Sequence, residues 1–286
     1  MAELLTTVLN AAMLSALYAL VAIGFTLIFG VGGVLNLSHG ATLTVGAFTA
    51  FFVTGALDVN IWVATLVAML VAAGFAGVLY LGMVRFVEDD PITVMILTLV
   101  TSIVVEELVK IFVGTQPRAI PSLLDGQLAI AGGIQTNRLL AFALSWAIIG
   151  LLFAGVNYTR TGKAILATSM STKGAALVGV ESERMYLYTW VIAGALAGLA
   201  GVFLGSIQTA SWAMGRAPLV LSFSIVVLGG IGSIRGSLIG AYVIGFLEVF
   251  TVSYIDSSLS GLASLVVLVA ILLVKPEGLF GRELAH

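Results

Sequence analysis

Long apolar stretches dominate this chain of 286 residues and limit what it can fold into. A helix needs about 20 predominantly apolar residues to cross the hydrocarbon core of a bilayer. Charged residues and turn formers separate nine stretches near that length, which are residues 8–31, 36–57, 61–84, 91–113, 138–157, 186–206, 217–232, 236–255 and 259–274. The pattern predicts an all-α, polytopic integral membrane protein in which residues 1–286 form a single transmembrane domain.

Two of these stretches do not have the form of simple spans. The stretch 36–57 opens with the polar segment NLSHG, and the stretch 217–232 is short and ends in a glycine-rich run. Irregular backbone within a bilayer is tolerated only where protein or a water-filled cavity satisfies its polar groups. We therefore expect eight to nine transmembrane helices, two of which are broken or re-entrant.

The scarcity of charge excludes several classes of protein. Charged residues make up 9% of the chain, against roughly 25% in soluble proteins. A cytosolic enzyme and a disordered chain are excluded on this ground, and a nucleic-acid-binding protein would need a basic patch that is missing. The first basic residue is Arg85, so the first apolar stretch does not have the form of a cleavable signal peptide.

Residues that commonly carry chemistry are also scarce. The chain has no Cys and only two His, His39 and His286, so a metal site is not expected. The phosphate loop G-x-x-x-x-G-K-[ST] of ATP-hydrolysing proteins is missing from the sequence. We expect no catalytic residue and no cofactor in this chain.

The distribution of basic residues predicts the orientation in the membrane. The polar stretch 158–185 contains Arg160, Lys163, Lys173 and Arg184, whereas the stretch 114–137 contains Arg118 as its one base. Segments rich in Lys and Arg remain in the cytoplasm. We therefore expect 158–185 to be cytoplasmic and 114–137 to be an extracytoplasmic loop. On nine crossings, the N-terminus lies outside and the C-terminus inside.

Few ionisable residues lie within the predicted spans, where they commonly have functional roles. Glu106 and Glu107 precede Lys110 by three or four positions, a spacing that favours local ion pairs. Glu248 lies past the middle of its stretch with no base nearby in sequence. A hydrogen-bonded structural role and a role in lining a pathway remain open alternatives for Glu248. His39 is interpreted as a hydrogen-bonding residue at a helix start rather than a proton relay.

Glycines recur at helical spacing in two of the later predicted segments. Gly194, Gly198, Gly201 and Gly205 share one face of a helix, and Gly232, Gly236 and Gly240 follow at steps of four. Small residues in such stripes let helix backbones approach closely. We expect the first stripe to serve packing, whereas packing and hinge motion are equal alternatives for the second.

Several segments, in order along the chain, resemble those of one known family. These segments are NLSHG at 36–40 after an apolar first span ending GFTLIFG at 24–30, TGKAILAT at 161–168 with AALVGV at 175–180, LGGIGSIRG at 228–236 and KPEGLFG at 275–281. On these segments, which occur in order from about residue 18 to the last residues, the chain resembles the branched-chain amino acid ABC transporter permeases of LivH type. Glu106 and Glu107 depart from the family pattern, in which an amide or apolar residue is expected.

The resemblance implies a permease subunit of an ABC importer in a prokaryotic inner membrane. Such a subunit forms half of the translocation pathway and works by alternating access. The implied partners are a second, LivM-like permease, two cytoplasmic ATPases that use ATP and Mg, and an extracytoplasmic substrate-binding protein. The family's usual cargo is leucine, isoleucine and valine, and close relatives carry urea, short amides or other amino acids. An ion-coupled secondary transporter that uses Glu248 or His39 is the alternative.

Two sets of site residues follow. Substrate sites and gates in transporters tend to lie at discontinuous helices, which predicts a translocation pathway bordered by Asn36, Ser38, His39, Thr42, Gly229, Gly230, Gly232 and Glu248. The stretch 173–180 is predicted to form a short helix with Gly179 at its C′ position. It belongs to the region that is similar to the family's ATPase-contacting segment, and the predicted coupling residues are Lys173, Gly174, Ala175, Ala176, Leu177, Gly179, Glu181 and Arg184.

The pathway is expected to bind its cargo weakly. Burying an unpaired carboxylate or ammonium group is costly, and the predicted hydrocarbon depth contains no Arg or Lys. We therefore expect a largely apolar passage, with specificity residing mainly in the external binding protein.

Overall fold

The computed structural model describes residues 2–128, 133–275 and 278–280. These residues form helices joined by short linkers, apart from two short antiparallel strands, β1 (Gln127–Leu128) and β2 (Ile134–Gln135). The helices are α1 (Ala2–Gly32), α2 (His39–Leu57), α3 (Ile61–Gly82), α4 (Pro91–Val113), α5 (Thr136–Tyr158), α6 (Arg160–Met170), α7 (Thr172–Leu177), α8 (Ser182–Gln208), α9 (Arg216–Gly229), α10 (Ile234–Tyr254) and α11 (Leu262–Val274).

Seven helices in the described part of the chain are long and apolar enough to cross a membrane. They are α1, α2, α3, α4, α5, α8 and α10. Helices α9 and α11 contain 14 and 13 residues, and at about 1.5 Å per residue each falls short of a hydrocarbon core about 30 Å thick. The described residues therefore contain seven helices of spanning length, and the predicted count of eight to nine is not confirmed. The stretches 217–232 and 259–274 are the two whose helices are too short; Ser260 and Gly261, for example, belong to the polar linker before α11.

Antiparallel packing gives the helix bundle two distinct ends. Helix α1 runs along α10, with Thr26 Oγ1 2.6 Å from Ser237 Oγ and with Gly30 against Gly232. Helix α6 lies where α1 ends and α8 begins, because its Ile165 packs against Val31 and Met185. We call this end of the bundle the α7 end, and the end at which α1 starts the opposite end.

The glycines of the first stripe hold α8 directly against its neighbours. A Cβ atom on Gly194 or Gly198 would overlap α3 at Ala72. A Cβ on Gly201 would overlap the carbonyl oxygen of Leu43 in α2, and one on Gly205 would contact Ile120. The packing interpretation of this stripe is confirmed, and α8 forms the centre of the bundle.

Replacing Gly201 with Ala is expected to lower the thermal stability of the protein. The added methyl group forces α8 and α2 apart, and overpacking of this kind costs about 1–3 kcal/mol. Gly55 is the matched control because it is helical and exposed, and a Cβ atom at that position would have nothing within 4 Å. Gly55→Ala is expected to leave the melting temperature unchanged or to raise it. Thermal unfolding in detergent measures both, and equal melting temperatures for the two variants would contradict the packing role.

Candidate functional site

A cavity of about 710 Å³ lies at the opposite end of the bundle. It is bounded by the end of α8, the linker 209–215, the start of α9, Glu248 of α10, and the linker and first turn of α11. Its wall is mainly apolar and carries one acid and one base, Glu248 and Arg216. The other main lining residues are Tyr18, Leu204, Gln208, Ser211, Met214, Pro218, Leu221, Ser260, Leu262 and Leu265.

Glu248 is held in the cavity wall by the linker that precedes α11. Only 4% of the residue is exposed. Its Oε1 accepts hydrogen bonds from Ser260 Oγ at 2.5 Å and from the backbone N–H of Gly261 at 2.8 Å. Gly261 is the N-cap of α11, where a carboxylate is favourable because of the helix dipole. Glu248 therefore has the hydrogen-bonded structural role at the start of α11 that the sequence left open, and it also lines the cavity.

Arg216 is neutralised by a carboxylate from another helix. Its Nε and Nη2 atoms donate to the two carboxylate oxygens of Glu106, at 2.9 and 2.5 Å. Lys110 pairs with Glu107 at 2.6 Å, so local pairing is confirmed for Glu107 and wrong for Glu106. The reason is geometric: Glu106 is buried and faces α9, whereas Glu107 is exposed. Trp212 lies under both cations, 4.1 Å from Lys110 and 4.9 Å from Arg216.

Replacing Arg216 with Gln is expected to destabilise the protein, because it leaves the buried Glu106 carboxylate without a partner. The guanidinium is largely exposed, so we expect a loss of about 1 kcal/mol, or about 2–4 °C in melting temperature. The double variant Glu106→Gln/Arg216→Gln is expected to recover part of this loss. Glu107→Gln, which breaks the neighbouring exposed pair, is the control. A melting temperature for Arg216→Gln equal to that of the control would exclude the buried pair as a stabilising contact.

The polar segment before α2 turns back into the bundle. Asn36, Ser38, His39 and Thr42 are all almost completely buried. His39 Nε2 lies 3.0 Å from the carbonyl oxygen of Val21, and Asn36 Oδ1 accepts from the backbone N–H and hydroxyl of Ser38 at 3.0 and 2.6 Å. These residues fix the start of α2 beside the middle of α1 and do not line the cavity. The interpretation of His39 as a hydrogen-bonding residue at a helix start is confirmed.

The two predicted discontinuities contact opposite ends of α9. At its start, Gly40 packs on Gly215 so closely that a Cβ on either would overlap the other's carbonyl group. At its end, Gly229 packs in the same way on Gly236. The separation along α1, from Val21 beside His39 to Gly30 beside Gly232, is nine residues, or about 14 Å. The structure therefore does not bring the two sets of pathway residues together, although both contact α9.

The glycine run 229–232 lies at the α7 end. Gly230 and Gly232 have φ angles of 98° and 77°, which favour glycine. The backbone N–H groups of Leu279 and Phe280 donate to the carbonyl oxygens of Leu228 and Gly229, at 2.8 and 3.1 Å. Carbonyls at the end of α9 that have no partner within the helix are thus satisfied by the segment that follows α11. Residues 276, 277 and 281 of the C-terminal motif lie outside the described residues, as do 129–132 of the stretch 114–137.

The short helix predicted within residues 173–180 is present as α7. Gly179 has a φ angle of 81° and donates to Ala176, while Val180 donates to Ala175. These two bonds form a Schellman motif, and the predicted C′ position of Gly179 is confirmed. The stretch 158–185 is therefore not a simple loop, since it contains α6 and α7.

The surface of α7 is apolar and exposed. Leu177 is 89% exposed and Val178 is 76% exposed. Ala175 is buried against the bundle, while Lys173, Gly174 and Ala176 face outward. Glu181 and Arg184 form an ion pair at 2.6 Å just before and within the first turn of α8. Apart from Ala175, the predicted coupling residues are therefore exposed at the α7 end.

Tertiary packing creates the remaining features of the site. The sequence identified Glu248 but missed the rest of the cavity wall, including Arg216 and Tyr18. It also missed Trp212, whose ring lies against Arg216. The one sequence signal that could have pointed to this cavity was Arg216, a basic residue directly before an apolar stretch. Within the described residues, no group of three or more His, Cys, Asp or Glu side chains could hold a metal ion.

Comparisons with known proteins place this chain among membrane permeases. The family model described as branched-chain amino acid transport system, permease component, matches residues 7–274. The high-affinity branched-chain amino acid transport system permease protein LivH of Escherichia coli K12 is 29% identical over 96% of this chain and 94% of the relative. BraD of Pseudomonas aeruginosa, which has the same description, is 26% identical over 97% and 96%. The ribose import permease protein RbsC of Haemophilus influenzae is 26% identical over 84% and 76%. No solved structure matches the chain.

Proposed function

The chain belongs to the family of permease components of branched-chain amino acid transport systems, and from this premise we propose that it forms half of the translocation pathway of an ABC importer for branched-chain amino acids. The family match over residues 7–274 carries this proposal. As a multi-pass permease component, the chain is not the subunit that hydrolyses ATP. A second, homologous permease, two ATPases and an extracytoplasmic binding protein complete the proposed assembly.

The proposed orientation places the α7 end in the cytoplasm of a prokaryotic cell. The described basic residues divide seven to four in favour of that end, as the positive-inside rule requires. Those at the α7 end are Arg85, Arg160, Lys163, Lys173, Arg184, Arg235 and Lys275, and those toward the opposite end are Lys110, Arg118, Arg138 and Arg216. In this orientation the N-terminus is extracytoplasmic, the segment 278–280 is cytoplasmic and the cavity faces the binding protein.

Helix α9 forms the proposed wall of the pathway. Its start lines the cavity and its end leads into the glycine run 229–232, so one short helix extends from the cavity toward the α7 end. In this proposal Glu248 borders the entrance, while Gly229, Gly230 and Gly232 border the exit. Asn36, Ser38, His39 and Thr42 hold the start of α2, and through Gly40 they hold the start of α9. An equilibrium between two packings of α9 would provide alternating access.

The cavity wall favours an aliphatic cargo. Leu204, Met214, Leu221, Leu262 and Leu265 present methyl groups to the cavity, and burying apolar surface against them is favourable. A sugar would need several fixed hydrogen-bond partners in that apolar region. The ion-coupled alternative has less support, because His39 is hydrogen-bonded in the bundle interior and Glu248 is held by the linker before α11.

Helix α7 is the proposed contact with the ATPase. An exposed Leu177 and Val178 at the end of a short helix suit a hydrophobic groove on a partner protein. The neighbouring α6 packs through Ile165 on Val31 of α1 and Met185 of α8. A displacement of α7 and α6 by the ATPase would therefore reach two of the longest helices of the bundle.

Uptake into proteoliposomes tests the proposed function. The assembly is reconstituted with its second permease, ATPases and binding protein, and radiolabelled leucine, ribose and urea are offered in parallel. We expect leucine uptake that requires both ATP and the binding protein. Uptake driven by a proton or sodium gradient without ATP would contradict the proposal, and ATP-driven uptake of ribose or urea alone would contradict the proposed cargo.

A further inference from the structure

The charges around the cavity do not balance. Arg216 is its one basic lining residue, and this residue is already paired with the buried Glu106 through two hydrogen bonds. Glu248 has no Lys, Arg or His within ion-pair distance among the described residues. The wall therefore carries one carboxylate without a compensating cation, in surroundings where electrostatic interactions are stronger than in water.

The donors that hold Glu248 are uncharged groups. The hydroxyl of Ser260 and the N–H of Gly261 both donate to Oε1, and Gly261 also donates to Oε2 at 3.0 Å. Beside the cavity, the linker carries a second acid, Asp256, whose pKa is lowered because the backbone N–H and hydroxyl of Ser258 donate to it. Both groups therefore give this region a negative potential, which attracts cations to a cleft with low-dielectric walls.

We propose that the cavity is a transient binding site for the zwitterionic amino acid, in which Glu248 receives the ammonium group and the aliphatic side chain lies on the leucine-rich wall. This proposal rests on the proposed function and adds the atoms that recognise the cargo on its way in. Arg216 completes the site because its third nitrogen, Nη1, makes no hydrogen bond within the described part of the chain and is available to the cargo carboxylate. The site is weak, because both charged residues keep their protein partners.

A reporter cysteine measures the charge selectivity of the cavity without transport. The chain has no Cys, so Ser211→Cys introduces a single thiol of this subunit into the half-buried cavity wall. In an assembly with cysteine-free partners in nanodiscs, the rates of modification by a cationic and an anionic methanethiosulfonate reagent are compared. Adding Glu248→Gln is expected to lower the cation-to-anion rate ratio about tenfold, the effect of about 1.4 kcal/mol of electrostatic attraction.

Ser260→Ala is the control for a purely structural role of Glu248. It removes the hydroxyl that holds the carboxylate but keeps the charge, and we expect the rate ratio to stay within about twofold of the parent. An unchanged ratio in Glu248→Gln, or an equal loss in Ser260→Ala, would overturn the proposal. Membrane insertion and monodispersity of each variant are measured alongside.

Protection experiments with three small molecules identify the recognised group. Leucine and isoamylamine both carry an ammonium group and are expected to slow modification by a neutral reagent, whereas 4-methylpentanoate lacks that group and is expected not to protect. Glu248→Gln is expected to abolish protection. Equal protection by 4-methylpentanoate and leucine would refute the role of Glu248. Because these measurements need neither ATP nor uptake, their failure is distinguishable from a failure of the proposed transport function.

Discussion

Replacing Leu177 with Glu is expected to reduce ATP-driven uptake to background while leaving a folded, membrane-inserted protein. Leu177 is 89% exposed, and surface substitutions of this kind usually change the free energy of unfolding by less than about 0.5 kcal/mol. In the proposed assembly the side chain is buried in the ATPase. Losing its burial costs about 1.5–3 kcal/mol, or roughly 10- to 100-fold in subunit association, and burying the new carboxylate adds to that cost.

The measurement combines leucine uptake in proteoliposomes with co-purification of the ATPase. Ala176→Glu, one position earlier on the same surface, is expected to act in the same way. Ser169→Glu is the matched control, since it adds the same charge at an exposed position of α6 at the same end of the bundle. Normal uptake in Leu177→Glu, or an equal loss in Ser169→Glu, would exclude α7 as the specific contact.

Replacing Gly40 with Val is expected to abolish uptake and most of the folded assembly. Any Cβ at this position overlaps the carbonyl group of Gly215 and also approaches Leu219 to 3.2 Å. The obstacle is backbone rather than a flexible side chain, so α2 and the start of α9 have to separate. Because the start of α9 forms the cavity wall, the damage reaches the proposed entrance directly. Val adds three carbon atoms at this contact, so the cost exceeds the roughly 1–3 kcal/mol that is typical of inserting extra methylene groups into a packed core.

Gel filtration in detergent and leucine uptake measure the two consequences. Gly74→Val provides the control, because Gly74 is an exposed glycine within α3 and nothing lies within 4 Å of a Cβ at that position. Gly40→Ala is expected to fall between the two. If Gly40→Val eluted as a monodisperse peak and transported leucine normally, the close contact between α2 and α9 would be unnecessary for function.

The features that sequence could predict are those encoded locally. Hydropathy identified all seven helices of spanning length, because each reflects about 20 consecutive residues. Helix α7 was predicted because Gly179 and the residues before it make a Schellman motif with one another. The Glu107–Lys110 pair was likewise predicted from a spacing of three residues. Each of these features is complete within one short segment.

The features that sequence could not predict depend on distant partners. Glu106 is 110 positions from Arg216, and nothing at either position indicates which of two adjacent glutamates faces α9. The cavity is formed by five segments of the chain, so its wall exists only after packing. The sequence marked Gly40, Gly229 and Gly236 as noteworthy glycines, but it did not show that Gly40 packs on Gly215 or that Gly229 packs on Gly236. The sequence therefore assigned residues 36–42 and the glycines at 229–232 to one pathway site, whereas the structure places them at opposite ends of α9.

The glycine contacts have a consequence for how such a transporter can acquire a new cargo. Where Gly46 meets Gly198, Gly40 meets Gly215 and Gly229 meets Gly236, backbone touches backbone, and there is no side chain that could be exchanged for a slightly different one. A substitution at any of these glycine pairs is expected to be disruptive, because the first added carbon atom separates two helices. The cavity wall can change one side chain at a time. Selection for a different solute is therefore expected to substitute cavity residues such as Met214, Leu221 and Leu262 and to retain the paired glycines.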